Sequence, residues 1–222
     1  MPKSKRSKIV SLTKTAKKGK EAKASLMEEV RTACQQFAFI HVFTIDNMRN
    51  NAMKHMRTEF GDQGRFFYGR NKVMAKALGL TKEDEIVEGS AAIGAKLIGE
   101  VGLLMSNKGP EDVSSFFDGH DTLDYARGGG IAPSGASIPA GPVMRGELPM
   151  PHNMEPHLRS LGMPTLLANG VVTLSAPYTI CKPGDVLSPE QAHLLKHFGF
   201  KFATFKAKLK SSLHNSEFTE YQ

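Results

Sequence analysis

The sequence predicts an α/β fold: a three-layer-type α/β domain with a central mixed sheet flanked by helices, interrupted by a small loop-rich β insertion domain. Two observations predict this class. Apolar residues recur with alternating helical and strand periods between residues 21 and 117. Nine of the twelve prolines and nine of the 21 glycines then fall between residues 127 and 185, where they disfavour helices and central strands.

Helical and strand patterns alternate before the insertion. Leu26, Val30, Ala33, Cys34 and Phe37 are spaced as one face of a helix, whereas residues 37–45 are rich in β-branched and aromatic side chains. The same criteria predict, in order, a helix over 21–36, a strand over 37–45, a helix capped by Asp46 or Asn47, a strand over 65–68, a helix over 71–78, helical pieces on either side of Gly89-Ser90 within 81–99, a strand over 100–106 and a helix over 110–117.

The first pattern resumes after the insertion. Inside the insertion, Asn169-Gly170 separates two short apolar runs and predicts a hairpin with a two-residue turn. Beyond it, Ser188 and Pro189 are suited to begin a helix that ends near 198, and residues 200–209 read as a last strand. We therefore predict a flexible basic arm (1–19), a discontinuous α/β domain (20–126 and 186–222) and an insertion domain (127–185).

Positive charge is concentrated at the start of the chain. Eight cationic residues and no acid occur among the first twenty, namely Lys3, Lys5, Arg6, Lys8, Lys14, Lys17, Lys18 and Lys20. The whole chain carries +7, so the remaining 202 residues sum to about −1. Such an arm indicates a polyanionic partner, and nucleic acid is the commonest. The alternatives are a disordered solubilising tail and a simple import signal.

The stretch 68–76 is the strongest local candidate for a binding site. A predicted strand ends there, Gly69 permits a turn, Arg70 lies at the mouth of the next helix and Asn71 is suited to cap it. Lys72 and Lys76 are four residues apart and share one helical face. A helix N-terminus with these cations could clamp a phosphate backbone, although a solvated amphipathic helix has the same pattern.

Two further cations are predicted on the preceding helix. Its apolar stripe consists of Met48, Ala52 and Met56. Arg49 and Lys54 lie off that stripe, so the pattern predicts that they face solvent or a ligand.

Several classes of function lack their residues in this sequence. No phosphate-binding GxxxxGK[ST] loop and no dinucleotide-binding GxGxxG motif after a strand occurs, and nothing resembles a nucleophile with a base. His193 and His197 have the spacing of a zinc-binding pair, but no third ligand accompanies them. The sequence therefore predicts no enzyme, no metal, no cofactor, no small-molecule substrate and no membrane span.

Long motifs in a fixed order identify a resemblance that covers essentially the whole chain. They are MPKSKRSK at 1–8, YGRNKVMAKAL at 68–78, GEVGLLMSN at 99–107, DYARGGGIAPSGASIPAG at 124–141, MEPHLRSLGMPTLLANGVVTL at 154–174 and KPGDVLSPEQAHLLKHFGF at 182–200. With them the chain resembles the ribosomal stalk-base family, the L-ten or P-zero family, and most closely its nuclear assembly-factor branch.

The resemblance implies a function. Members of the family bind large-subunit rRNA at the stalk base, the GTPase-associated region, beside a neighbouring stalk-base ribosomal protein. The assembly-factor branch is non-enzymatic, occupies that position on the pre-ribosomal particle in the nucleus and nucleolus, and is later exchanged for the mature stalk protein with the help of a phosphatase-like release factor. Transient passage to the cytoplasm on exported particles is also expected.

The resemblance and the charge pattern together give a set of expected RNA-binding residues. The set is Lys3, Arg6, Lys8, Lys14, Arg49, Lys54, Gly69, Arg70, Asn71, Lys72 and Lys76. One position departs from the family, which typically has Gly-Lys-Asn where this chain has Gly69-Arg70-Asn71. Arginine binds phosphate in a bidentate manner or stacks on a base, so the contact at position 70 differs from that of lysine.

The end of the chain favours the assembly-factor branch. The sequence stops at Gln222 and contains neither the helices that carry acidic partner proteins nor the alanine-rich hinge and acidic tail of the mature stalk protein. We therefore expect a placeholder with the same footprint on rRNA. The alternatives are a stalk-base protein of the mature subunit and an RNA-binding protein of mRNA turnover.

Overall fold

The computed structural model describes residues 19–221, so the expected contacts of Lys3, Arg6, Lys8 and Lys14 lie outside the described residues. The described chain forms two compact units. The first unit contains residues 19–44, 60–114 and 209–221, and the second contains residues 45–59 and 115–208. The predicted division at residues 126/127 and 185/186 stays a prediction.

Helices and strands alternate along the described residues. The helices are α1 (Lys20–Gln36), α2 (Asn50–Phe60), α3 (Asn71–Leu78), α4 (Ser90–Ala95), α5 (Pro110–Asp118), α6 (Glu155–Ser160) and α7 (Pro189–His197). The strands are β1 (Phe39–Asp46), β2 (Gly64–Phe67), β3 (Val101–Ser106), β4 (Thr122–Asp124), β5 (Ala136–Ile138), β6 (Gly141–Pro142), β7 (Met144–Arg145), β8 (Leu148–Pro149), β9 (Thr165–Ala168), β10 (Val171–Leu174), β11 (Tyr178–Cys181), β12 (Ala203–His214) and β13 (Glu217–Glu220).

A sheet with the strand order β13-β12-β1-β3-β2 organises the first unit. Strand β3 pairs antiparallel with β1 from Phe39↔Ser106 to Thr44↔Val101, and antiparallel with β2 on its other side. All six residues of β3 are buried, as expected for a central strand with both faces covered. The predicted α/β class is confirmed.

In this unit α1 packs against α3, and α3 packs against α4. Their apolar faces and the sheet share one core, and the buried members from the helices are Val30, Ala33, Cys34, Met74, Ala77, Leu78 and Ile93. The spacing of the α1 residues follows the predicted stripe. Helix α3 is thereby fixed by its buried face, which leaves its other face and its N-terminal end to solvent.

The second unit contains α2, α6, α7 and the short strands β4 to β11, with its own core. Strand β4 pairs with the first residues of β12, from Ala203↔Asp124 to Phe205↔Thr122. The predicted hairpin is confirmed: β9 and β10 pair antiparallel around Asn169 and Gly170, whose φ angles are 50° and 79°. These short strands form the β-rich insertion that the proline and glycine content indicated.

Some predicted elements are wrong. Residues 81–88 form turns, because the Glu85 carboxylate accepts hydrogen bonds from the N–H groups of Gly89 and Ala91 and so caps α4. Helix α2 begins at Asn50, since Asn47 adopts φ 51° and its Nδ2 donates to Thr204 O at 3.0 Å. Helix α6 and the pair β12–β13 beyond residue 209 were not predicted.

Candidate nucleic-acid interface

The N-terminal end of α3 presents unpaired backbone donors. Arg70 is the N-cap residue, and its carbonyl accepts from the N–H groups of Val73 and Met74 at 2.8 and 3.1 Å. The N–H groups of Asn71 and Lys72 lie in the first turn, where a helix provides no acceptor. Together with the positive end of the helix dipole they form a surface that favours an anion.

Three cations lie along α3: Arg70 and Lys72 at its N-terminal end and Lys76 in its last turn. Arg70, Lys72 and Lys76 are exposed, and none of them makes an ion pair with another residue in the described range. The opposite face is formed by Met74, Ala77 and Leu78, all buried, so the predicted separation of a cationic from an apolar face is confirmed. The three charged side chains are therefore carried by a packed helix and are available to an anionic ligand.

Asn71 and Gly69 have roles that differ from the predicted ones. The Asn71 side chain caps nothing; its Nδ2 donates to Gly99 O at 2.7 Å and ties the start of α3 to the loop before β3. A Cβ atom at position 69 would lie 3.1 Å from Leu26 Cδ2, so Gly69 allows α1 to approach the turn closely. Both residues position the end of α3.

Helix α1 adds cations that were not among the expected RNA-binding residues. Lys20, Lys23 and Arg31 are exposed on it, and it packs against α3. The charge of α1 is mixed, because Glu29 pairs with Arg65 at 2.7 Å and further acids share its surface. The excess of positive charge is thus at α3, with α1 as a flank.

Arg49 belongs to the interior of the second unit. Its Nε donates to Asp124 Oδ2 and its Nη2 to Tyr125 O, and its side chain is 14% exposed. Arg49 thus has a structural partner 75 residues away, for which a helical pattern carries no signal, and its role as an RNA-binding residue stays a prediction. Lys54, on the same helix, is exposed and makes no ion pair with a described residue.

The histidines of α7 do not assemble a metal centre within residues 19–221, where no three His, Cys, Asp or Glu side chains group suitably. His197 Nε2 instead lies 3.2 Å from His157 Nε2 on α6. Burial, followed by the charges of His157 and Arg145, lowers the pKa of His197. None of the helices in the described range has the length and apolar composition needed to cross a membrane.

Comparisons with known proteins place this fold in a class. The family profile described as "Ribosomal protein L10" matches residues 18–121, and the profile of the insertion domain of the corresponding 60S ribosomal protein matches residues 126–200. The N-terminal end of α3 lies in the first match, and the short strands of the second unit lie largely in the second. The architecture is thus that of ribosomal protein L10 with its insertion.

Relatives that match nearly the whole chain assign it more narrowly than the two family profiles do. "Ribosome assembly factor mrt4" of Schizosaccharomyces pombe is 43% identical over 94% of this chain and 90% of its own length. "Ribosome assembly factor MRT4" of Saccharomyces cerevisiae is 34% identical over 99% and 96%. "Large ribosomal subunit protein uL10" of Pyrococcus horikoshii is 25% identical over 82% of this chain and 52% of its own length. The chain belongs to the mrt4 family of ribosome assembly factors.

Proposed function

We propose that this protein binds folded large-subunit rRNA at the stalk base of nuclear pre-ribosomal particles, as a non-enzymatic placeholder that is later exchanged for the mature stalk protein. The observation that carries the proposal is the N-terminal end of α3. There, free backbone donors and two unpaired cations, Arg70 and Lys72, lie in the region that matches ribosomal protein L10, and Lys76 follows in the last turn of the same helix. A surface of this kind suits phosphate oxygens more than any other ligand.

The proposed mode of binding is recognition of RNA shape. Arg70, Lys72 and Lys76 contact phosphates and fix the register of the protein on the RNA, while Gly69 and Asn71 hold the end of α3 in place. The fold of the RNA supplies specificity, since double-stranded RNA exposes little sequence information to side chains. The basic residues of the arm add phosphate contacts, and Lys54 supplies a peripheral one.

Two kinds of relative support the proposed placeholder mechanism. Proteins named as assembly factors and proteins named uL10 share the fold, so one RNA site would accept either of them at a time. The partners in this account are the neighbouring stalk-base ribosomal protein and a phosphatase-like release factor. The location is the nucleus and nucleolus, with transient passage to the cytoplasm.

One observation favours the assembly factor over a protein of the mature subunit. The chain is 43% and 34% identical to the two mrt4 relatives above, and 25% identical to the uL10 relative. Enrichment in nuclear precursors supports the assembly role, whereas enrichment in polysomes supports the mature subunit. A preference for unstructured single strands over the rRNA fragment would instead support a role in mRNA turnover.

The decisive experiment is competition for a stalk-base rRNA fragment at two salt concentrations. This chain competes with the RNA-binding half of the mature stalk protein, and mutually exclusive, salt-sensitive binding is expected. Simultaneous binding of both proteins to one fragment would contradict the shared footprint.

Reversal of charge at α3 tests the residues. Arg70→Glu combined with Lys72→Glu should weaken binding of that fragment by at least roughly tenfold, because two phosphate contacts become repulsive. The melting temperature should stay nearly unchanged, since both side chains are exposed and exposed substitutions move stability by only about 0.5 kcal/mol. Lys82→Glu, an exposed residue of the same unit, is the control for charge. Wild-type affinity of the double variant would remove α3 from the interface.

A further inference from the structure

A groove of about 450 Å³ lies in the second unit, between the loop that follows β4 and helix α7. Arg127 on the loop and Lys196 and His193 on α7 line it, and all three are exposed. None of them makes an ion pair with a residue of the described chain. Pro189 contributes exposed apolar surface between these side chains, with the buried Ala126 and Ala192 at the base of the groove.

The acid in the groove is already neutralised. Asp124 Oδ2 accepts from Arg49 and Oδ1 accepts from the Tyr125 N–H at 2.7 Å. Burial alone would raise the pKa of Asp124, but the Tyr125 N–H, Arg49 and Arg127 together lower it. Because Arg49 and Asp124 compensate each other, the charge left for a ligand is that of Arg127 and Lys196, and the groove favours an anion.

The two sides of the groove are held at a fixed separation. The Gly129 N–H donates to Leu187 O at 2.7 Å, and the Leu187 N–H donates to Gly130 O at 2.8 Å. A Cβ atom at position 128 would lie 3.1 Å from Pro189 N, so the loop touches the start of α7 directly. Arg127 and Lys196 therefore project from a preformed frame, which reduces the entropy lost on binding.

We propose that this groove binds one nucleotide of an RNA strand, with its phosphate between Arg127 and Lys196 and its base against Pro189. A phosphate alone would leave most of the volume and the apolar wall unused, whereas 450 Å³ is in the range of sites for small organic ligands, about 300–1,000 Å³. Arginine also suits a phosphate with two free oxygens. Assignment of the nucleotide to RNA rests on the proposed function; the nucleotide site itself does not.

The first test is a titration of the full chain with adenosine monophosphate, followed by amide NMR. The Gly128 and Ala192 resonances should shift and saturate, and inorganic phosphate at the same ionic strength should shift them far less. Arg127→Glu with Lys196→Glu should abolish the shifts, whereas Lys182→Glu with Lys201→Glu, an equal charge change at exposed sites of the same unit, should preserve them. Equal responses to phosphate and nucleotide, or none, would overturn the nucleotide site.

The second test uses a labelled single-stranded RNA decamer and fluorescence anisotropy. The Arg127/Lys196 variant should bind it at least roughly fivefold more weakly than the control variant, because two phosphate contacts are lost. Equal affinity of the two variants would overturn the RNA assignment. The milder pair Arg127→Gln and Lys196→Gln repeats the comparison if charge reversal impairs folding. Neither test involves the stalk-base fragment, so failure of the proposed function is detected separately.

Discussion

Arg49 occupies a position that the sequence pattern predicts to be exposed, but its side chain has structural hydrogen-bond partners. It precedes α2 and lies off the predicted apolar stripe, as an RNA-binding side chain would, but its guanidinium donates to Asp124 Oδ2 and Tyr125 O. Lys54 has the same sequence signature and is exposed. Helical periodicity separates apolar from polar positions; it does not tell which polar side chain pairs with a carboxylate of a distant strand.

Substitution of Arg49 and of Lys54 tests whether Arg49 stabilises the fold while Lys54 does not. Arg49→Met should lower the free energy of unfolding by about 2 kcal/mol, because it leaves Asp124 Oδ2 and the Tyr125 carbonyl without the donor that Arg49 supplies. Lys54→Met, on the same helix, should change it by less than about 0.5 kcal/mol. Urea denaturation measures both. Equal stability of the two variants would show that the Arg49 network is not structural.

His41 is a second residue whose environment the sequence does not reveal. It is fully buried in β1, its Nε2 lies 3.2 Å from Lys108 O, and its Nδ1 has no hydrogen-bond partner. Burial lowers the pKa of His41 from 6.5 to about 4, although the Lys108 carbonyl opposes the shift. The fold therefore holds this imidazole neutral at physiological pH.

This shift gives the first unit a defined sensitivity to acid. Below pH 6.5 the unfolded chain takes up a proton that the folded chain accepts only near pH 4, so stability is lost as the pH falls between these values, by about 3 kcal/mol. His41→Phe should lose correspondingly less than wild type between pH 7 and 4 in urea denaturation. His55→Gln, at an exposed position, should follow wild type. Parallel losses in all three proteins would contradict the assignment.

At the level of elements, those with local signals were predicted and those with distant partners were not. The limits of α3 were predicted as 71–78 because its stripe and both ends are local. Helix α6 was missed because Pro156 was counted as a breaker, although proline is tolerated in the first turn. The β12–β13 hairpin was missed because its turn uses Asn215 and Ser216, with φ 47° and 68°, in place of a glycine.

The β9–β10 hairpin allows a test of turn chemistry. Gly170→Ala should destabilise the second unit by about 1 kcal/mol, because φ 79° is unfavourable for a residue with a Cβ atom. No atom lies within 4 Å of that Cβ, so conformation is the cause. Gly119→Ala, which has ordinary contacts and no positive φ, should change the melting temperature much less. A neutral Gly170→Ala would mean that the hairpin does not limit stability.

At the scale of the molecule, charge is distributed very unevenly. The first twenty residues carry +8 and the rest about −1, and the described residues include unpaired cations on α3 and in the groove beside α7. If the protein binds RNA as proposed, we expect the arm to supply most of the net attraction and the folded residues to set the orientation on the RNA.

The salt dependence of RNA binding measures the contribution of the basic arm separately from that of the folded residues. Replacement of Lys3, Arg6 and Lys8 by glutamine should reduce the slope of log affinity against log salt by about 2, since each phosphate contact contributes about 0.7–0.9. Affinity should fall at low salt and converge with wild type at high salt. Lys182→Gln with Lys201→Gln should leave the slope nearly unchanged. An unaltered slope in the arm variant would exclude these residues from the interface.

Strand β12 has a consequence for how the protein is made. Its first residues pair with β4 in the second unit, and its last residues belong to the sheet of the first, where β12 lies next to β1. During translation neither unit can complete its strand pairing until β12 has been synthesised. Most of the nascent chain therefore leaves the exit tunnel before β12 can pair with β4 and β1. Partners so distant in sequence slow folding and expose apolar surface meanwhile. We therefore expect this protein to depend on chaperones during its synthesis.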